Sequence, residues 1–225
     1  MRNKLFLIVF GLLVYCTSSA QEFAKGADVS WLPQMEATGY QFYDTDGTKK
    51  DALQLLKDRG MNTIRLRVFV NPSDDPRSGH CSKEETVAFA VRAQKMGFRI
   101  MIDFHYSDSW ADPGKQNKPE AWKNLPFDKL AQALYDHTFD VMTALKIAKV
   151  KTEWVQIGNE IPGGMLWPDG STDNWKQLGI LLNKGYDAVK AVDKTIKVIV
   201  HVDEGDNIEK FRTFYDNATE QKVRY

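Results

Sequence analysis

Phe98-Arg99-Ile100-Met101-Ile102-Asp103-Phe104-His105-Tyr106-Ser107-Asp108 opens on an apolar run the length of one strand and closes on charged and hydroxylated residues. Gly97, just ahead of it, has the freedom to end a preceding helix in a left-handed turn. Ser82 and Glu85 are spaced as a capping box for that helix, and Val87, Ala90, Val91 and Gln94 follow at helical spacing. The grammar of helix, glycine and strand recurs outward in both directions. Upstream, Thr48 and Asp51 can cap a helix carrying Ala52, Leu53 and Leu56, Gly60 stops it, and Asn62 to Phe69 form a strand. Downstream, Leu130, Leu134, Val141 and Leu145 mark a helix before the strand Trp154 to Ile157. Leu178, Leu181, Leu182, Ala188 and Val192 mark another before Lys197 to Val202. With Ala27 to Ser30 at the start, five strands alternate with helices.

Such alternation implies parallel strands joined by right-handed crossovers, an α/β fold. An open doubly wound sheet would place a glycine-rich phosphate turn after its first strand, where Val29-Ser30-Trp31-Leu32-Pro33 stands instead. Polar and charged residues collect at the C-terminal ends of successive strands, the face a (β/α)8 barrel uses for its chemistry. The expectation is a partial (β/α)8 TIM barrel with about five of eight βα units. At a repeat of roughly 43 residues, eight units would need on the order of 340, and the chain has 225.

Thirty Lys and Arg balance thirty Asp and Glu. No basic field is present to hold nucleic acid or anionic lipid, and a neutral partner fits better. Arg2 and Lys4, the apolar run Leu5 to Tyr15 and the small residues Thr17 to Ala20 follow the order of a secretory signal, so residues 1–20 are set aside and the barrel is expected over 21–225. That run is too short to span a bilayer. The expected location is secreted or periplasmic. Cys16 offers lipid attachment as the alternative, but the bulky Tyr15 before it favours cleavage after Ala20. Cys81 would then have no partner for a disulfide.

Gly158-Asn159-Glu160 follows an apolar strand, so a carboxyl emerges at the mouth of the barrel beside an amide able to bond a substrate hydroxyl. An acid that protonates a glycosidic oxygen must be un-ionised at working pH, which a second carboxylate about 5 Å away promotes by like-charge repulsion. Asp103 and His105 share one face of their strand end, and the long loop that follows carries Trp110 and Trp122, whose rings could underlie a sugar or pack as core. Arg65 and Arg67 share a face of the second strand and need anionic partners; a structural ion pair suits Arg65 better than Arg67. His201 can bond substrate, orient an acid or sit as a bonded core histidine, whereas His137 lies on an apolar helical stripe and Trp175 at a helical position.

With Gly26 to Ser30, Asn62 to Val68, Asp103 to Asp108, Trp110 to Pro113, Gln156 to Glu160 and His201 before Gly205-Asp206 in view, the sequence resembles the endo-β-1,4-galactanases of glycoside hydrolase family 53. The third-strand block is long and particular. The resemblance implies a retaining, endo-acting hydrolase of β-1,4-galactan in type I arabinogalactan. Glu160 would be its general acid/base, Asn159 a substrate-orienting neighbour, and Arg67 and His105 supports of the centre. It implies no cofactor, and any calcium site of full-length members would fall outside this region. Family members carry their nucleophilic glutamate on a seventh strand, for which this chain has no counterpart, so the chain is read as C-terminally truncated and inactive or weak by itself. Two rivals stand: a non-catalytic galactan-binding remnant, and a metal-dependent barrel hydrolase with Asp103, His105, His201 and Asp203 as ligands.

Overall fold

A computed structural model describes residues 22–75 and 79–225; the signal-like segment and Cys16 lie outside the described residues. Among the described residues seven strands are present, β1 (Gly26–Asp28), β2 (Thr63–Val68), β3 (Arg99–Phe104), β4 (Thr152–Ile157), β5 (Gly164–Met165), β6 (Gly170–Ser171) and β7 (Lys197–Ile199). The helices are α1 (Leu32–Ala37), α2 (Ala52–Asp58), α3 (Lys83–Lys95), α4 (Phe127–Ile147), α5 (Trp175–Val192) and α6 (Ile208–Glu220). One sheet runs β1-β2-β3-β4-β7, every neighbouring pair parallel and in chain order. Sequential parallel strands with a helix between each pair make this a run of five consecutive (β/α)8-barrel units. The antiparallel pair β5 and β6 is a small addition in the loop after β4.

Local sequence accounts for most of these boundaries. Ser82 and Glu85 close a complete capping box on α3, and the Asp51 carboxylate, rather than Thr48, accepts from the Gln54 N–H at the start of α2. Gly60 and Gly97 take φ of +83° and +85° after α2 and α3, where a β-carbon would be strained. Strand alternation sends Ile100, Ile102 and Phe104 into the apolar core with Leu130, Leu134, Leu178 and Leu182, and Asp103 to the other face.

The buried stripe of α3 is Thr86, Phe89, Ala90 and Ala93, rotated from the expected one, with Val87, Val91 and Gln94 at its border. Thr86 can be buried because its hydroxyl donates to the Arg67 carbonyl at 3.1 Å. The fifth sheet strand ends at Ile199, short of the expected Val202. α5 lies close on β4 because Gly185 faces Ile157: a β-carbon there would stand 2.7 Å from Ile157 Cγ2. Gly185→Ala should therefore destabilise the chain by on the order of 1 kcal/mol, overpacking outweighing the gain in helix propensity. A urea midpoint equal to or above that of the unaltered chain would contradict that reading of the contact.

Candidate active site

Register assembles the site before any side chain is considered. Asp28 is the partner of Arg65, Asp103 is the partner of both Arg67 and Gln156, and all but Arg65, which stands at mid-strand, project from the C-terminal halves of their strands. Arg65 is the hub. Its Nη1 donates to Asp28 Oδ2 at 2.8 Å; its Nη2 reaches Asp103 Oδ2 at 2.7 Å, Asn159 Oδ1 at 2.8 Å and Gln156 Oε1 at 3.1 Å. Asp103, wholly buried, also accepts from Gln156 Nε2 at 2.5 Å and from His105 Nε2 at 2.9 Å. A buried carboxylate is tolerable only with such saturation.

His105 is occupied on both nitrogens, since Nδ1 accepts the Ala111 N–H at 3.0 Å. It pins the long loop after β3 to the strand end and has no ring nitrogen left over. Asn159 is equally built in, its Nδ2 donating to the Ala111 carbonyl at 2.9 Å. His201 Nδ1 stands 3.2 Å from both the Glu160 N–H and Asn159 Oδ1, joining the ring to the turn after β4. Burial, and secondarily the Arg65 charge, push the His201 pKa below its ordinary value, which favours the neutral ring.

Glu160 stands apart from this saturation. Gly158 turns the chain out of β4 at φ +81°, and Glu160 itself takes φ +46°, unusual for a residue with a β-carbon. Its backbone is held at both ends, the N–H by His201 and the carbonyl by Gln116 Nε2 at 3.0 Å. Among the described residues its carboxylate has no hydrogen-bond or ion-pair partner, and the residue is half-buried. A rigid backbone carrying an uncommitted carboxyl is the arrangement a proton-transfer group needs.

Arg67 behaves differently from Arg65. It is 3% exposed, its guanidinium carbon lies 4.1 Å from the Trp110 ring centre and 4.7 Å from that of Trp31, and among the described residues its one carboxylate contact is Asp28 at 3.5 Å. Its Nε and Nη2 are buried without a hydrogen-bond partner. Trp31, Trp110, Arg65 and Arg67 line a cavity of about 520 Å³ whose outer wall, from α1 and α2, is apolar. Trp122 is no sugar platform: it is 8% exposed and packs edge-on to His137 in the core. Trp175 is half-buried and meets Phe214 edge-on.

The proposed metal set does not form. Asp103 and His105 bond each other, and Arg65 places a positive charge 2.7 Å from Asp103 Oδ2, where a cation would have to bind. Asp203 is paired with Lys210 at 2.9 Å. Sequence reasoning did not mark Gln116, Gln156 or Trp31. Gln156 was visible as a polar residue at the inward position of an apolar strand, the one signal that could have found it.

The sequence pattern described as glycosyl hydrolase family 53 matches residues 24–225. An arabinogalactan endo-beta-1,4-galactanase of Thermothelomyces thermophilus is 35% identical over 199 residues, covering 88% of this chain and 58% of its own length. An endo-beta-1,4-galactanase of Bacillus subtilis is 34% identical, covering 91% of this chain and 48% of itself. The solved catalytic domain from Ignisphaera aggregans superposes with a TM-score of 0.84 at 39% identity, over 90% of this chain and 57% of that one. A fungal beta-1,4-galactanase structure gives 0.82 at 35% identity, over 88% and 59%. The chain thus spans about half the length of the relatives it matches.

Proposed function

The chain belongs to glycosyl hydrolase family 53, and from that premise we propose that it acts on β-1,4-galactan by endo-cleavage with retention, Glu160 serving as general acid and then general base. The supporting observation is the uncommitted carboxyl of Glu160 at the end of β4, beside a strand-end cluster in which the other acids are already engaged. In this reading Trp110 and the second Nδ2 hydrogen of Asn159, the one not given to the Ala111 carbonyl, bind sugar, with Asp103, His105 and His201 as the frame that aims them. Arg67, with two unbonded nitrogens, is suited to steady the carboxylate of a nucleophile. The first step protonates the leaving glycosidic oxygen from Glu160 while a second carboxylate attacks the anomeric carbon; water, deprotonated by Glu160, then releases the sugar. No metal or cofactor enters these steps. Export through residues 1–20 belongs to the same proposal; among the described residues no helix is long and apolar enough to cross a membrane.

One observation favours a second reading, a chain that binds galactan without cutting it. At the strand ends Asp28 and Asp103 are tied to Arg65, and in the loop after β7 Asp203 and Glu204 are tied to Lys210. Each of these four is already held in an ion pair, unlike the carboxyl of Glu160. Electrophoresis of the purified chain in gels containing β-1,4-galactan, cellulose derivative or xylan, with reducing-end release measured alongside, tests both readings. Retardation by galactan alone is expected. No retardation would overturn both readings. Release of reducing ends selects the catalytic reading, and Glu160→Gln should then lower it by at least about 100-fold while retardation persists.

A further inference from the structure

Formal neutrality of the whole chain conceals a segregation of its charge. In consecutive parallel β/α units the C-terminal ends of the helices and the first residues of the strands gather on the face opposite the strand ends that form the site. Lys25 stands just ahead of β1, Lys95 closes α3, Lys149 and Lys151 lie between α4 and β4, and Lys194 lies between α5 and β7. All five are exposed, and among the described residues none of their ammonium groups has a hydrogen-bond or ion-pair partner. Along the same arc the acids are engaged: Asp58 by Lys50, Glu153 by Arg99, and Asp193 by the Thr195 N–H and hydroxyl. Glu22 faces the Arg99 charge. Balancing acids lie across the molecule, Glu204, Asp206 and Glu209 among them, in the loop after β7 and the first turn of α6.

Main-chain groups tie the arc together. Lys57 Nζ donates to the Met96 carbonyl, Gln94 Nε2 to the Lys149 carbonyl at 2.9 Å, and the Lys151 N–H to Gln94 Oε1 at 2.6 Å. A lysine near a helix C-terminus ordinarily serves the orphan carbonyls there, as Lys57 does and as Lys146 does at Val192. Lys25, Lys149, Lys151 and Lys194 lie outside the helices and bond no carbonyl, so capping does not account for them. Two apolar side chains stand among these charges. Phe23, two residues before Lys25, is 80% exposed, and Ile147, the last residue of α4, is 76% exposed, the highest values for large apolar side chains among the described residues. A soluble polyanion would leave both in water, whereas the headgroup boundary of a bilayer takes up apolar side chains and lysine charge together. The chain also enters its fold here, with Arg99 Nη1 donating to the Glu22 carbonyl at 2.7 Å, so in the uncleaved chain the apolar run Leu5 to Tyr15 leads into this same face.

We propose that this basic face docks on a membrane surface carrying anionic headgroups and so directs the strand-end site away from the bilayer. The proposal is independent of which polymer that site takes. Cosedimentation of the full chain with vesicles of phosphatidylcholine, alone or with about one-third phosphatidylglycerol, tests it. Because residues 5–15 could adhere to any bilayer, the quantity read is the preference for anionic over neutral vesicles. That preference should be at least about tenfold at low salt and vanish at about 0.5 M. Lys25→Glu, Lys95→Glu, Lys149→Glu and Lys151→Glu together should abolish it. Lys115→Glu, Lys123→Glu, Lys129→Glu and Lys176→Glu, an equal change of net charge near the strand ends, should leave it within about twofold. Phe23→Ser with Ile147→Ser should weaken binding to anionic vesicles by about tenfold. Lysine acetylation of the unaltered chain, read by mass spectrometry, requires no variant to fold: anionic vesicles should protect Lys25, Lys95, Lys149 and Lys151 and leave Lys115 and Lys176 reactive. Absence of an anionic preference, its loss in both quadruple variants alike, or protection of the strand-end lysines instead would overturn the proposal. Capture by soluble polygalacturonate without a preference for anionic vesicles would assign the face to an acidic polymer and overturn the lipid reading.

Discussion

Arg65→Met should lower the free energy of unfolding by about 3–5 kcal/mol, the usual consequence of removing one partner from a buried ion pair. The arginine is 23% exposed but Asp103 is wholly buried, so the loss arises chiefly on the aspartate, which would be left in a low-dielectric interior with only Gln156 and His105 as partners. Methionine fills much of the volume, so the change isolates the charge from the packing. Three elements lose an anchor together, because the same guanidinium joins β1 through Asp28, β3 through Asp103 and the β4 end through Asn159. Retardation by galactan should weaken in parallel as Asn159 loses its orientation. Urea unfolding at pH 7 measures the first effect. The double variant Arg65→Met with Asp103→Leu should recover a substantial part of the loss, because no orphan charge remains. A single-variant loss under about 1 kcal/mol, or no recovery in the double, would mean that the network is not held together by this pair.

How much of this was legible beforehand follows from the range of the interactions involved. The capping box of Ser82 and Glu85, the glycine stops at Gly60 and Gly97 and the alternation in Ile100 to Phe104 act within a few residues, and a local pattern suffices to read them. Sheet order also came through, since parallel strands in sequential crossovers leave few alternatives. The α3 stripe was misplaced because Thr86 is polar and its burial depends on a carbonyl nineteen positions earlier in the chain. Trp122 and Trp167 look alike as sequence, yet one closes over His137 in the core and the other lines a cavity. Gln116 bonds the Glu160 carbonyl across 44 positions, a contact that only the folded loop creates.

His137 carries the second large expectation, a loss of stability on mild acidification. The ring sits on α4 with Phe104, Trp122 and Tyr106 around it, centroids 5.7 to 6.3 Å away, and its Nε2 is buried without a hydrogen-bond partner. Burial pushes its pKa down to about 4, against 6.5 for the free side chain, while Asp140 and Lys83, paired with each other, act on it in opposite directions. Because the folded pKa is the lower one, the unfolded chain takes up the proton first. The stability is fully present above pH 6.5 and is withdrawn as pH falls toward 4, by on the order of 2–3 kcal/mol. His201, also lowered by burial, adds slope of the same sign. Carboxylates held low by cations, Asp44 by Arg59 and Lys50 and Asp58 by Lys50, lose their contributions only at more acidic pH, so they leave this window to the histidines. His137→Phe puts an apolar ring into an aromatic box and should leave stability nearly unchanged at pH 7. At pH 4.5 it should raise stability by about 2 kcal/mol over the unaltered chain, His201 accounting for the slope that persists. Urea midpoints for both chains at half-unit steps from pH 7.5 to 4 supply the comparison. Parallel curves for the two would show that the His137 ring is reached by water in the folded state and bears no part of the acid sensitivity.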